Sequence, residues 1–252
     1  MRHLLELVIT FFITSVAFGQ QRSVATQQIL WLGYYQKAQL SERWALHTEL
    51  EGRWFTSNGR QHQWVAPRVH LHYLTLGGAD LSAGGADLSA GGAYFLQALP
   101  QNDEPLQLVR PEIRPHQELT LRQSLGKFRL EHRYRVEERF LRRIMDGALA
   151  DGWDFNWRFR YRAQLLVPLA SGLRLNPTLK LYNEILLNAG KAVQQNLFDQ
   201  NRIGATLSLK ISKHIFTELG YLHWYQQRPA GNAFYNRHIF RFSLIHNLSL
   251  RK

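Results

Sequence analysis

FRLEHRYRVEERFL, Phe128 to Leu141, decides the fold. Every second residue is ionic: Arg129, Glu131, Arg133, Arg135, Glu137 and Arg139. The alternate set is Phe128, Leu130, His132, Tyr134, Val136 and Phe140, with Glu138 the main exception. Successive side chains of a strand point to opposite faces, so this segment has one charged face and one apolar, aromatic-rich face. At 14 residues it is far longer than the usual strand of about five or six. A long strand of this kind fits a wall with lipid outside and a polar lumen inside.

The same grammar recurs along the chain. In Trp153–Leu169, Trp153, Phe155, Trp157, Phe159, Tyr161, Leu165 and Val167 alternate with Asp154, Asn156, Arg158, Arg160, Arg162 and Gln164. Its aromatics gather near one end and its aliphatics near the other, as where an interfacial girdle gives way to a hydrocarbon band. In Trp44–Phe55, Leu46, Leu50 and Trp54 alternate with His47, Glu49, Glu51 and Arg53. In residues 62–76, Val65, Val69, Leu71 and Tyr73 oppose Arg68, His70 and His72.

Composition agrees. The 252 residues are 45% hydrophobic and 20% charged, which suits an ordered domain. With no cysteine there can be no disulfide, thiolate metal site or lipidated N-terminal cysteine. Met1-Arg2-His3, the apolar run from Leu4 to Phe18, and Ala17-Phe18-Gly19 form a secretory signal peptide over residues 1–19. Residues 20–252 are then a single barrel domain. Arg2 and Glu6 cancel, so the exported chain keeps a formal charge of +12. Such a charge attracts anionic partners, and export turns that expectation from nucleic acid to outer-membrane lipid and small anionic solutes.

The segments between turns number eleven strands, in an all-β, closed, antiparallel up-and-down transmembrane barrel. Bacterial single-chain barrels have an even strand number, which points to twelve strands, with ten next. A short extra strand within residues 20–25 is one source of the twelfth. Arg142–Gly152 reads as a loop with a short helical turn. Ala93–Leu99 reads as the fourth strand. Before it, Gly77–Ala83 and Gly84–Ala90 are identical copies of GGADLSA. Seven residues inserted into a paired strand would reverse every following side chain, so the extra copy is expected in the turn. One Asp per copy is too few oxygens for calcium.

LWLGYYQKAQLSERWALHTELEGRW near the start, HRYRVEERF and RFRYRAQLLVPL in the middle, and FDQNRIGATLSLKISKHIFTELGY near the end resemble the domain-of-unknown-function family 2490. The spacing of Trp31, Trp44, Arg53, Arg133, Glu137, Arg158, Arg160, Arg162, Asn201 and Arg202 carries the resemblance. It implies a small outer-membrane barrel of the kind common in Bacteroidota, located in a Gram-negative outer membrane, with no activity to transfer.

The candidate site is the ionic face itself: Glu49, Glu51, Arg53, Arg129, Glu131, Arg133, Arg135, Glu137, Arg139, Arg158, Arg160 and Arg162. These side chains can form an ion-pair network filling a narrow lumen, or a constriction selecting anions, as in a porin-like channel. Arg158, Arg160 and Arg162 beside Arg129, Arg133 and Arg135 need counter-charges or an anion. No cofactor and no metal is expected: His70 and His72 share a face but lack a third ligand. No enzyme is expected either. An outer-membrane phospholipase would need a Ser beside an outward histidine, and His132, His223, His238 and His246 have none at a recognisable spacing. A soluble periplasmic β-barrel binding protein is the remaining alternative.

Overall fold

Long alternating strands leave two unpaired edges unless the sheet closes, and closure is what the computed structural model contains. It describes residues 23–75, 80, 85–99, 108–169, 175–191, 193, 197–228 and 233–250; the signal segment lies outside them. The strands are β1 (Ser23–Gln39), β2 (Trp44–Phe55), β3 (Gln61–Leu74), β4 (Asp87–Ala98), β5 (Val109–Leu125), β6 (Phe128–Met145), β7 (Ala148–Pro168), β8 (Thr178–Ala189), β9 (Phe198–Lys210), β10 (Ile215–Gln227) and β11 (Ala233–Ser249). Each pairs antiparallel with its neighbour in sequence. β1 then closes on β11. Among the described residues there is no helix.

The expected up-and-down barrel holds, with a corrected strand number. Among the described residues eleven strands close it, as alternation alone indicates, and not the twelve that parity suggested. A meander reverses direction at every turn. With an odd number the first and last strands run the same way, so the closing pair is parallel, from Ser23 opposite Ala233 to Gln39 opposite Ser249. Parallel and antiparallel ladders both pair the backbone, so no edge remains.

Three local readings change. The expected loop at 142–152 is a tight hairpin extending β6 and β7: Asp146 and Gly147 both have positive φ, at 50° and 76°. This is the Asp-Gly signature of a two-residue turn whose twist suits flanking strands. Strand β4 starts at Asp87, inside the second GGADLSA copy, six residues before Ala93. Of the first copy only Asp80 is described, in an isolated bridge to Arg122, and the rest of that copy lies outside the described residues. Val65 faces inward and is fully buried, because a register shift between Val65 and Arg68, at Pro67, exchanges the two faces. Pro lacks a ladder donor and is tolerated at such bulges.

The two faces of the wall differ sharply. Outside, Leu50, Tyr134, Phe159, Ile203, Leu219 and Phe240 are exposed. Inside, charged groups are buried: Glu112 and Glu137 are 1% exposed and Arg237 is 2% exposed. Apolar packing inside is confined to patches such as Ile29, Trp31, Leu222, Trp224 and Ile239.

Candidate functional site in the barrel interior

Alternation on β2, β5, β6, β7 and β8 aims carboxylates and guanidinium groups into one narrow space, where their partners come from neighbouring strands. Glu137 accepts a hydrogen bond from Nη1 of Arg160 at 2.5 Å. Guanidinium nitrogens of Arg114, Arg135 and Arg158 lie 3.4, 3.8 and 3.9 Å from the same carboxylate. Arg160 also donates to Glu184 at 2.8 Å, and Arg133 reaches Glu184 at 2.5 Å. Arg135 donates to Glu118 at 2.6 Å. Arg139 grips both oxygens of Glu112, at 2.6 and 3.1 Å. Buried charges persist only when paired and hydrogen-bonded, and planar guanidinium forks suit carboxylates in this role.

The β2–β3 side is built likewise. Arg53 donates to Glu51 at 2.8 Å and to Gln63. Arg68 pairs with Glu49. Tyr35 donates to Glu51 at 2.7 Å and accepts from Arg241 at 2.9 Å. Inward aromatics carry further cations: Arg53 lies 3.6 Å over Trp31 and Arg114 3.9 Å over Phe95. Such stacking attracts a cation to the ring face.

Of the residues expected at the site, Glu49, Glu51, Arg53, Arg135, Glu137, Arg139 and Arg158 are buried in the interior. Arg133 and Arg160 complete the network around Glu184. Glu131 sits nearer the rim, accepting from Arg122 at 2.8 Å and from Gln164 at 2.9 Å. Arg129 does not join them: it is exposed, two residues from the Gly126-Lys127 turn. Arg162 points inward, yet among the described residues it has no ion pair within 4.0 Å, and its Nε is buried without a partner. Cross-strand it faces Arg133 on one side and Glu184 on the other.

Two features were missed. Arg237 is buried with no carboxylate partner among the described residues, donating to Gln27 at 2.7 Å and to Gln226. Its parity with Arg241 was the available signal. His47 joins His70 and His72: one ring nitrogen of each lies within 4.8 Å of the others. The signal was again parity, since His47 shares the face of Glu49 and pairs across from His70.

Members of the network, among them Arg133, Arg160 and Glu184, line a cavity of about 880 Å³ in the interior. Its lining reaches from Tyr182 and Glu184 at mid-barrel to Leu99, Arg110 and Arg228 at the rim opposite the β1–β2 turn, and includes fourteen arginines but only five carboxylates. Below it the lumen is filled by polar groups, among them His70, His116, Thr206 and Ser243, all 4% exposed or less.

These features define a closed β-barrel whose interior is ionic. Residues 28–235 match the family described as "Protein of unknown function (DUF2490)", and the chain belongs to that family. No curated protein matches. Among solved structures, the beta domain of the Bordetella autotransporter BrkA is similar at 13% identity and a TM-score of 0.35, over 75% of this chain and 79% of that one.

Proposed function

We propose that this protein is a non-enzymatic outer-membrane β-barrel, closed in its lower lumen by buried polar groups, whose arginine-lined vestibule takes small anionic solutes. The observation that carries the membrane reading is the inverted wall, with apolar side chains exposed outside a closed sheet and charges buried inside. Strands of 12 to 21 residues exceed the roughly 9–11 that a tilted crossing needs. Only closed barrels and helices satisfy their backbones in lipid, and this sheet is closed. Aromatics sit near both rims: Trp153, Phe155 and Trp157 at one, Trp44 and Tyr73 at the other. This arrangement supports residence in the outer membrane of a Gram-negative cell.

The anion reading rests on the excess of arginine over carboxylate around the cavity, and on Arg162 and Arg237, which lack a carboxylate partner among the described residues. The outward histidines favour a role without chemistry. His132 and His238 bond to Tyr161 and Tyr221 at 2.8 and 2.6 Å, and His246 to Tyr34 at 3.2 Å. The test is calorimetric titration of the detergent-solubilised barrel with inorganic pyrophosphate. Binding that weakens with salt and falls at least tenfold in Arg162→Gln is expected; equal binding in Arg162→Gln, or no binding, rejects the vestibule.

A further inference from the structure

We infer that the lower lumen holds a divalent transition-metal site of the zinc class, with His47, His70 and His72 as ligands. His47 comes from β2 and the other two from β3, which pair antiparallel with His47 opposite His70. His70 and His72 are two apart on one strand, so both point into the barrel, and His47 stands opposite His70 on the next strand. Their rings lie 4.7, 5.0 and 5.7 Å apart between centroids. One ring nitrogen of each is within 4.8 Å of the other two. A tetrahedral ion with bonds of about 2.0–2.1 Å needs these atoms about 3.4 Å apart, so binding draws the three rings together.

Two of the three imidazoles are held from behind by a carboxylate. His70 Nε2 lies 3.1 Å from Oε1 of Glu49, and His72 Nδ1 lies 2.8 Å from Oδ1 of Asp87. Glu49 and Asp87 are 5% and 3% exposed. An ionised carboxylate only accepts hydrogen bonds, so in a neutral ring the nitrogen facing it carries the proton. The opposite nitrogen then bears a free lone pair. Those opposite atoms, Nδ1 of His70 and Nε2 of His72, are both buried without a hydrogen-bond partner. A buried, unpartnered acceptor is costly unless something occupies it. A carboxylate behind an imidazole that presents its other nitrogen is the arrangement that orients metal-ligating histidines and raises their basicity.

The donor set selects the metal class. Three neutral imidazoles suit zinc, copper, nickel or cobalt rather than magnesium or calcium, which take oxygen. Three protein ligands leave a further coordination position open. His116 lies near the cluster: its ring is 5.1 Å from that of His70, and its Nε2 is also buried without a partner. The second GGADLSA copy gains a role here, because its Asp87 braces His72. This inference does not rest on membrane residence or on anion binding.

The test uses untagged, folded barrel in detergent, stripped with a chelator and titrated with ZnCl2 and, separately, CoCl2. One equivalent of zinc per chain retained after gel filtration, and a visible cobalt(II) absorption of tetrahedral intensity, are expected. His47→Gln and His72→Gln should each lose the stoichiometric zinc and the cobalt spectrum. Asp87→Asn should keep the site but weaken it by roughly 10–100-fold. His238→Gln, on the outer surface, should bind as the unaltered protein does. Each variant is first checked for the folded, heat-modifiable gel band; where a Gln variant fails that check, the cobalt spectrum of the unaltered protein and the Asp87→Asn weakening decide. No retained zinc and no cobalt spectrum in the unaltered protein overturn the site. So does full binding in folded His47→Gln and His72→Gln.

Discussion

Glu137 of β6 bonds to Arg160 of β7 diagonally: the residue directly opposite Glu137 is Arg158, while Arg160 stands opposite Arg135. The diagonal lets Arg160 bridge Glu137 and Glu184, and so couple β6, β7 and β8 through the lumen. The barrel thus has an ionic core where a soluble sheet packs aliphatic side chains. Removing one member of a buried ionic cluster leaves uncompensated charge, at a cost of about 3–5 kcal/mol. Glu137→Gln should lower the unfolding free energy of the detergent-folded barrel in urea by about that amount. Glu138→Gln, whose carboxylate lies on the opposite face near Gln117, should stay within about 0.5 kcal/mol of the unaltered protein. Equal effects would argue against the network as core.

A pair of glycines provides a second test. Gly91 lies opposite His70, and a Cβ there would meet the Val69 carbonyl oxygen at 2.1 Å and the His70 Cα at 2.6 Å. The next residue, Gly92, has nothing nearer than 4.0 Å. Gly91→Ala should therefore pry β3 from β4, lowering the yield of folded barrel, while Gly92→Ala folds normally. Unboiled gel migration separates the two outcomes; indifference at Gly91 would contradict the close strand approach.

Much of this was legible in the sequence, because a two-residue period forces faces: Arg158, Arg160, Glu137 and Glu184 all point inward, as alternation requires. The failures occurred where something other than period decided. A bulge at Pro67 turned Val65 inward. The Asp146-Gly147 turn was short enough to be hidden inside what reads as a polar loop. The parallel β1–β11 closure depends on contacts nearly the whole chain apart, and a rule of parity misled there. The histidine cluster needed cross-strand register, which no single strand carries.

The tandem heptad yields a prediction of its own. Thr75 and Ala86 bond to each other across the β3–β4 connection, at 3.0 Å between backbones. Deleting residues 77–83 leaves Leu76, Gly84 and Gly85 between them, a three-residue glycine-bearing hairpin loop of a common kind. β4 then keeps its register, since Asp87 onward is unchanged. The deletion variant should fold with unaltered gel migration; a misfolded product would mean that the first copy is needed for pairing.

The central claim is that lipid, not water, meets the outer face. Leu219 is exposed in the middle of β10, flanked across the strands by Leu207 and Phe242. A cation on the lipid face near the bilayer midplane costs about 2–4 kcal/mol, whereas an exposed Leu→Arg change on a soluble sheet is worth within about 0.5 kcal/mol. The deciding measurement is the folding free energy of Leu219→Arg in phospholipid vesicles against that of the unaltered protein. A loss of about 2–4 kcal/mol is the expected result. A Leu219→Arg protein as stable as its parent, with both remaining folded monomers in buffer without detergent or lipid, would contradict the account.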